Sequence, residues 1–89
     1  MNINREKIAI FLRYGGDSDG WARMGTAEEK AVMSDGDWYG LSNLIQDYTL
    51  VKNGRASANF KARLEERIET STRDPASLEA LKRLIEQMA

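Results

Sequence analysis

The sequence predicts an all-α fold, a compact bundle of four principal helices with a short fifth helix inside a Gly/Asp-rich stretch at 15–40. Three observations predict it. Apolar residues recur at spacings of three and four along most of the chain, the period of an amphipathic helix. Ser, Thr, Asn and Asp stand just before those runs, where they can cap a helix N-terminus, and Gly closes two of them. The turns between runs are short, roughly 3–6 residues, which favours antiparallel neighbours. With 89 residues, 42% hydrophobic and 30% charged, the chain has the composition of one globular domain (1–89) with a single modest core.

The first helix takes Asn4 or Asn2 as its cap and runs to Tyr14, where Gly15 supplies a left-handed stop. Ile8, Phe11 and Leu12 share a face, which Ile3, Ile10 and Tyr14 widen. A strand over 7–13 is the competing reading, because Ile and Phe favour strands, but the chain offers it no similar partner. Gly15, Gly16 and Gly20 then interrupt regular structure, with Asp17 and Asp19 as turn formers and one turn of helix at 21–24. Thr26-Ala-Glu-Glu29 reads as a capping box opening a short helix over 27–33.

Ser34 opens the long helix, over about 36–52, with Asp37 near its N-terminus where the dipole favours acidic charge. Its apolar series is Trp38, Leu41, Leu44, Ile45, Tyr48 and Val51, and Asn53-Gly54 ends it. Ser57 caps the next helix, through Glu69, whose narrow stripe is Phe60, Leu64 and Ile68. Asp74 and Pro75 then start the last helix, Pro75 sitting where a missing N–H costs nothing. Leu78, Leu81, Ile85 and Met88, with Leu84 beside them, either cover the Phe60 stripe or form a weak homodimer seam.

Composition narrows the chemistry. There is no Cys and no His, which removes disulfides, thiolate nucleophiles, the usual metal ligands and the side chain best suited to proton transfer near neutrality. Ile8 to Leu12 is the longest apolar run near the N-terminus, too short for the apolar region of a signal peptide, about 7–15 residues, or for a membrane span of about 20. A soluble cytoplasmic protein is expected. Net charge is −1. Its distribution is uneven, with an acidic segment over 15–47 between mildly basic ends, and that pattern disfavours nucleic acid as a partner.

The 15–40 stretch holds six of the seven glycines, both tryptophans, and Asp17, Asp19, Asp35 and Asp37. An EF-hand needs oxygen ligands at its positions 1, 3 and 5, Gly at 6 and Glu at 12. Counting from Asp17 puts Trp21 and Ala22 at the fifth and sixth positions; counting from Asp35 puts Tyr39 at the fifth and Gln46 at the twelfth. Neither register works, so turns and caps explain these acids and no metal site is expected. No G-x-x-x-x-G-K-[ST] loop is present, and so small a bundle leaves little volume for a substrate cleft of about 300 Å3 or more. No catalytic residue, cofactor or enzymatic activity is expected.

Two binding readings remain. In the first, the chain is an interaction module of the adaptor, regulator or inhibitor kind that binds another protein through Asp17, Asp19, Trp21, Arg23, Asp35, Asp37 and Tyr39. Trp, Tyr and Arg dominate interface energies, and the surrounding acids suit a basic partner. With Trp38 turned inward, Tyr39 points about 100° away round the helix. In the second, the hairpin over 41–69 is a DNA-binding helix-turn-helix using Arg55, Asn59, Lys61 and Arg63. Polar Asn53 and Arg55 beside the turn glycine, and Arg63 where a buried residue belongs, count against it.

Overall fold

The computed structural model describes residues 1–89 and holds six helices and no strand: α1 (Arg5–Arg13), α2 (Ser18–Met24), α3 (Ala27–Val32), α4 (Asp35–Lys52), α5 (Ala58–Thr70) and α6 (Pro75–Met88). The all-α bundle with four principal helices is therefore present, but the 15–40 stretch contains two short helices where one was expected. Asp17 is the reason. Its carboxylate accepts from the Asp19 N–H and opens a full α2 rather than a plain turn. No helix is long and apolar enough to cross a membrane.

Every helix begins on a side-chain cap. Asn4, Asp17, Thr26, Ser34, Ser57 and Asp74 each accept a backbone N–H from the first turn that follows. The expected capping box at Thr26 is complete, with the Glu29 carboxylate accepting from the Thr26 N–H at 3.0 Å and Thr26 Oγ1 accepting from Glu29 at 3.1 Å. α1 ends one residue early, at Arg13. Gly15 N–H then donates to Leu12 O and Gly16 N–H to Phe11 O, the paired bonds of a Schellman stop. Gly54 closes α4 in the same way, with φ +70°.

The core is one cluster of fourteen residues, and α6 lies at its centre, packed against α1, α4 and α5. α6 contributes Leu81, Leu84 and Ile85, all buried, while Leu78 and Met88 pack at the edge. The apolar face that suggested a homodimer seam is thus turned into the fold, and no large exposed hydrophobic side chain lies on α6. On α1 the buried side is rotated from the expected one. Ile8, Ile10 and Phe11 are buried, and Leu12 is exposed. The rotation follows from α1 packing on α3 as well as α6, which brings Ile10 inward.

The residues before α1 are also fastened. Ile3 is not part of the helical face; it is wholly buried in the non-helical chain before α1, and its N–H donates to Ser71 O at 2.6 Å in the turn between α5 and α6.

Candidate interaction surface

The 15–40 stretch folds around an aromatic stack. Trp21 on α2 lies flat against Trp38 on α4, with ring centroids 4.9 Å apart and planes 4° apart. Phe11 packs on Trp38 at 4.4 Å, and Tyr14 meets both indoles edge-on. Each indole N–H has an acceptor: Trp21 Nε1 donates to Asp35 Oδ1 at 3.2 Å and Trp38 Nε1 to Ser18 Oγ at 2.9 Å. The Lys30 ammonium sits over the Trp21 ring, 5.4 Å from its centroid. Trp21 and Trp38 are 3% and 0% exposed. Trp21, expected among the partner-facing residues, is a core residue, because Trp38 covers one face and Tyr14 and Lys30 close over the rest.

The acids of the stretch are mostly engaged within the molecule. Asp17 caps α2, and Asp19 pairs with Arg23 one turn on, at 3.7 Å in open solvent. Asp35 accepts from Trp21. Asp37 turns the other way, into a largely covered ion pair with Lys7 at 2.8 Å, both side chains 15% exposed; Lys7 also donates to Asn2 O. Asp37 is therefore directed at α1 rather than at solvent.

Glu29 is a junction that the sequence signalled only as a cap. Its carboxylate accepts from the Tyr14 hydroxyl, from Arg13 and from the Thr26 N–H, which ties the end of α1 to the start of α3. The Tyr14 hydrogen bond is the largest cause holding its pKa at about 2, below the ordinary 4.5, and the Thr26 N–H adds to it. The same bond raises the Tyr14 pKa, with burial adding in the same direction. Asp74 is held below its ordinary value by the Ser77 hydroxyl and N–H. All three shifts belong to helix caps and ties between helices.

Of the large apolar side chains in the stretch, Met24 and Tyr39 are left outside, and Tyr39, 59% exposed, is the one on a long helix. It begins a line of exposed residues on α4, continuing through Asn43 and Gln46 to Leu50, which is 42% exposed. Their spacing of four, three and four keeps them on one side of the helix, opposite the buried Leu41 and Leu44, over about 16 Å of its length. The line contains no charge. Asp35 stands one turn before Tyr39 and Lys52 just beyond Leu50. Periodicity foretells the outward turn of Tyr39, whereas the uncharged outer line emerges only once the buried side of α4 is fixed by its neighbours.

Arg55, Asn59, Lys61 and Arg63 are exposed around the α4–α5 turn, at the end of α4 away from Tyr39. The groove floored by Tyr48, Ile68 and Ile85, about 280 Å3 in volume and rimmed by Glu65, Glu69, Lys82 and Glu86, lies outside the 15–40 stretch. No group of three or more His, Cys, Asp or Glu side chains is placed to hold a metal ion. Compared with known proteins, the chain matches no family model, no curated protein and no solved structure.

Proposed function

We propose that this protein is a small, non-enzymatic interaction module whose partner is a protein docking on the outer face of α4. One observation carries the reading: Tyr39, Asn43, Gln46 and Leu50 form an uncharged exposed line on an 18-residue helix. Charged residues are depleted at the centres of protein interfaces and Tyr is enriched there, whereas solvated helix faces usually carry charge. Tyr supplies a large contact area with few rotatable bonds, and Asn and Gln supply adaptable hydrogen bonds. The contact surface moves accordingly, from the Asp/Trp cluster to Tyr39 and the residues that follow it on α4. The acids that suit a basic partner contribute less to this surface, since Asp37 and Asp35 are engaged within the fold.

The role of the perturbed groups supports a non-enzymatic reading. Glu29, Tyr14 and Asp74 owe their shifts to caps and inter-helix ties, which is a structural use of the same physics that tunes catalytic acids. The test is affinity capture with the wild type, Tyr39→Ala and, as a control on another surface, Arg73→Ala. A partner retained by wild type and Arg73→Ala but lost by Tyr39→Ala is the expected result. A partner set that ignores Tyr39→Ala sinks the reading.

A further inference from the structure

We infer that the protein docking on the outer face of α4 is a second copy of this chain, paired antiparallel about a two-fold axis, an assignment that rests on the reading of that face as a protein-binding surface. Spacing is the first ground. Tyr39, Asn43, Gln46 and Leu50 are separated by four, three and four residues, so the midpoint of Asn43 and Gln46 is also the midpoint of Tyr39 and Leu50. A two-fold axis at that point sets Tyr39 of each copy against Leu50 of the other, and Asn43 against Gln46. Both pairs are complementary. An aromatic ring meets an aliphatic side chain, and two carboxamides, each with donors and an acceptor, can hydrogen-bond to one another.

Charge fixes the direction. Asp35 precedes Tyr39 by one turn, and Arg55 lies just past Leu50, its N–H donating to Leu50 O at 2.9 Å. Both are exposed, and neither is in an ion pair within the molecule. Asp35 uses only Oδ1 for Trp21. The two residues stand almost equally far from the midpoint, so the same operation brings Asp35 of each copy beside Arg55 of the other. The match extends beyond this pair: residues 15–47 hold seven acids against two cations, and residues 48–63 hold four cations and no acid. A parallel pairing would instead set acid on acid at one end and cation on cation at the other, which is unfavourable. Between the ends the line has no charge, and Asp37 and Asp47 are engaged with Lys7 and Arg67. Four residues and their flanks fall short of the roughly 20–30 residues a side of a standard interface, so the association is weak and reversible.

The test is sedimentation velocity from micromolar to millimolar protein. Wild type should pass reversibly from monomer to dimer, and salt should weaken the dimer. Tyr39→Ala and Leu50→Ala each remove two contacts per dimer and should weaken association about tenfold or more, with an unchanged far-UV circular dichroism spectrum. Arg55→Glu should weaken it too, whereas Arg73→Ala should not. Direction is read by NMR. The chain has no cysteine, so Asn53→Cys carries a single nitroxide label. Mixed with isotope-labelled wild type, it should broaden amides at the start of α4, around Gly36. Broadening at the end of α4 means parallel pairing and overturns the assignment. So does a wild type that stays monomeric at millimolar concentration, or a dimer indifferent to Tyr39→Ala. If wild type is monomeric and a captured partner is lost with Tyr39→Ala, the second copy is ruled out and the protein-binding surface stands. If wild type is monomeric and capture ignores Tyr39→Ala, both fall.

Discussion

Trp38 is the inner plate of a stack whose outer plate is Trp21, and the two indoles are fixed by acceptors on each other's helices, Ser18 on α2 and Asp35 on α4. The reciprocity locks α2 onto the start of α4. A helix of seven residues is too short to be stable alone, so α2 depends on this contact for its existence.

Removing the inner plate should therefore be severe. Trp38→Ala is expected to cost about 3–5 kcal/mol, a large share of the roughly 5–15 kcal/mol that holds a domain together. Urea unfolding measures it. Two stacked indoles also couple their electronic transitions, so the wild type should show a paired circular dichroism band that vanishes in either Trp→Phe variant. Acrylamide should quench neither tryptophan efficiently; free quenching of both would contradict the stack.

Gly15 and Gly16 separate two costs that usually come together. Both have positive φ, +59° and +71°, where an L side chain is strained by about 1–2 kcal/mol. A Cβ on Gly15 would meet open space, whereas one on Gly16 would lie 2.6 Å from Met88 Cε and 3.2 Å from Phe11. Gly15→Ala should lose only the conformational part, and Gly16→Ala somewhat more, because the buried Phe11 ring must give way even though the Met88 methyl can swing aside. Equal midpoints in urea would mean that α6 does not press on this turn.

Acid should act through Glu29. Its pKa is lowered in the folded state, to about 2, so its contribution is fully present above the ordinary 4.5 and is lost as pH falls from there through about 2. Tyr14 behaves in the opposite sense. Its raised pKa makes its contribution full below 10, with loss only as pH climbs beyond that value. Thermal melts across pH 2–5 should show a shallower decline for Glu29→Gln than for wild type, and melts above pH 10 should separate Tyr14→Phe from wild type. Parallel curves in both ranges would remove the tie between α1 and α3.

Thr26→Ala should loosen α3 locally. The helix buries none of its own residues and begins on the capping box, so losing the Thr26 hydroxyl costs about 1 kcal/mol there. Amide hydrogen exchange should quicken in α3 and leave α4 and α6 unchanged. A uniform change over all helices would mean that α3 is part of the global unit.

Tyr39→Ala and Leu50→Ala should leave stability within about 0.5 kcal/mol, because their side chains stand outside the packed core. A larger loss would show that the outer face of α4 serves the fold itself.

Local signals carried most of the fold. The caps at Asn4, Thr26, Ser34, Ser57 and Asp74 are properties of a few adjacent residues, and so is the burial of Trp38, Leu41 and Leu44 by period. What was not legible depends on partners distant in the chain. α2 escaped because Gly20 lowers helix propensity and seven residues show no period. The Trp21–Trp38 stack and the Tyr14–Glu29 bond required knowing which helices meet. The candidate site was half readable for the same reason: the outward turn of Tyr39 follows from one angle, whereas the inward fate of Trp21 and Asp37 follows from tertiary neighbours.

The central place of α6 has a consequence for how the molecule can be divided. α1 and α4 both lean on a helix that begins only at Pro75, and α5 packs against both α4 and α6. A cut at the exposed turn around Gly54 leaves α1 to α4 on one fragment and α5 with α6 on the other, and neither retains a closed core. The Ile3–Ser71 hydrogen bond would also run between the pieces. The two fragments are therefore expected to be complements, each unfolded alone and regaining helical circular dichroism on mixing, so that their association would report on the integrity of the core.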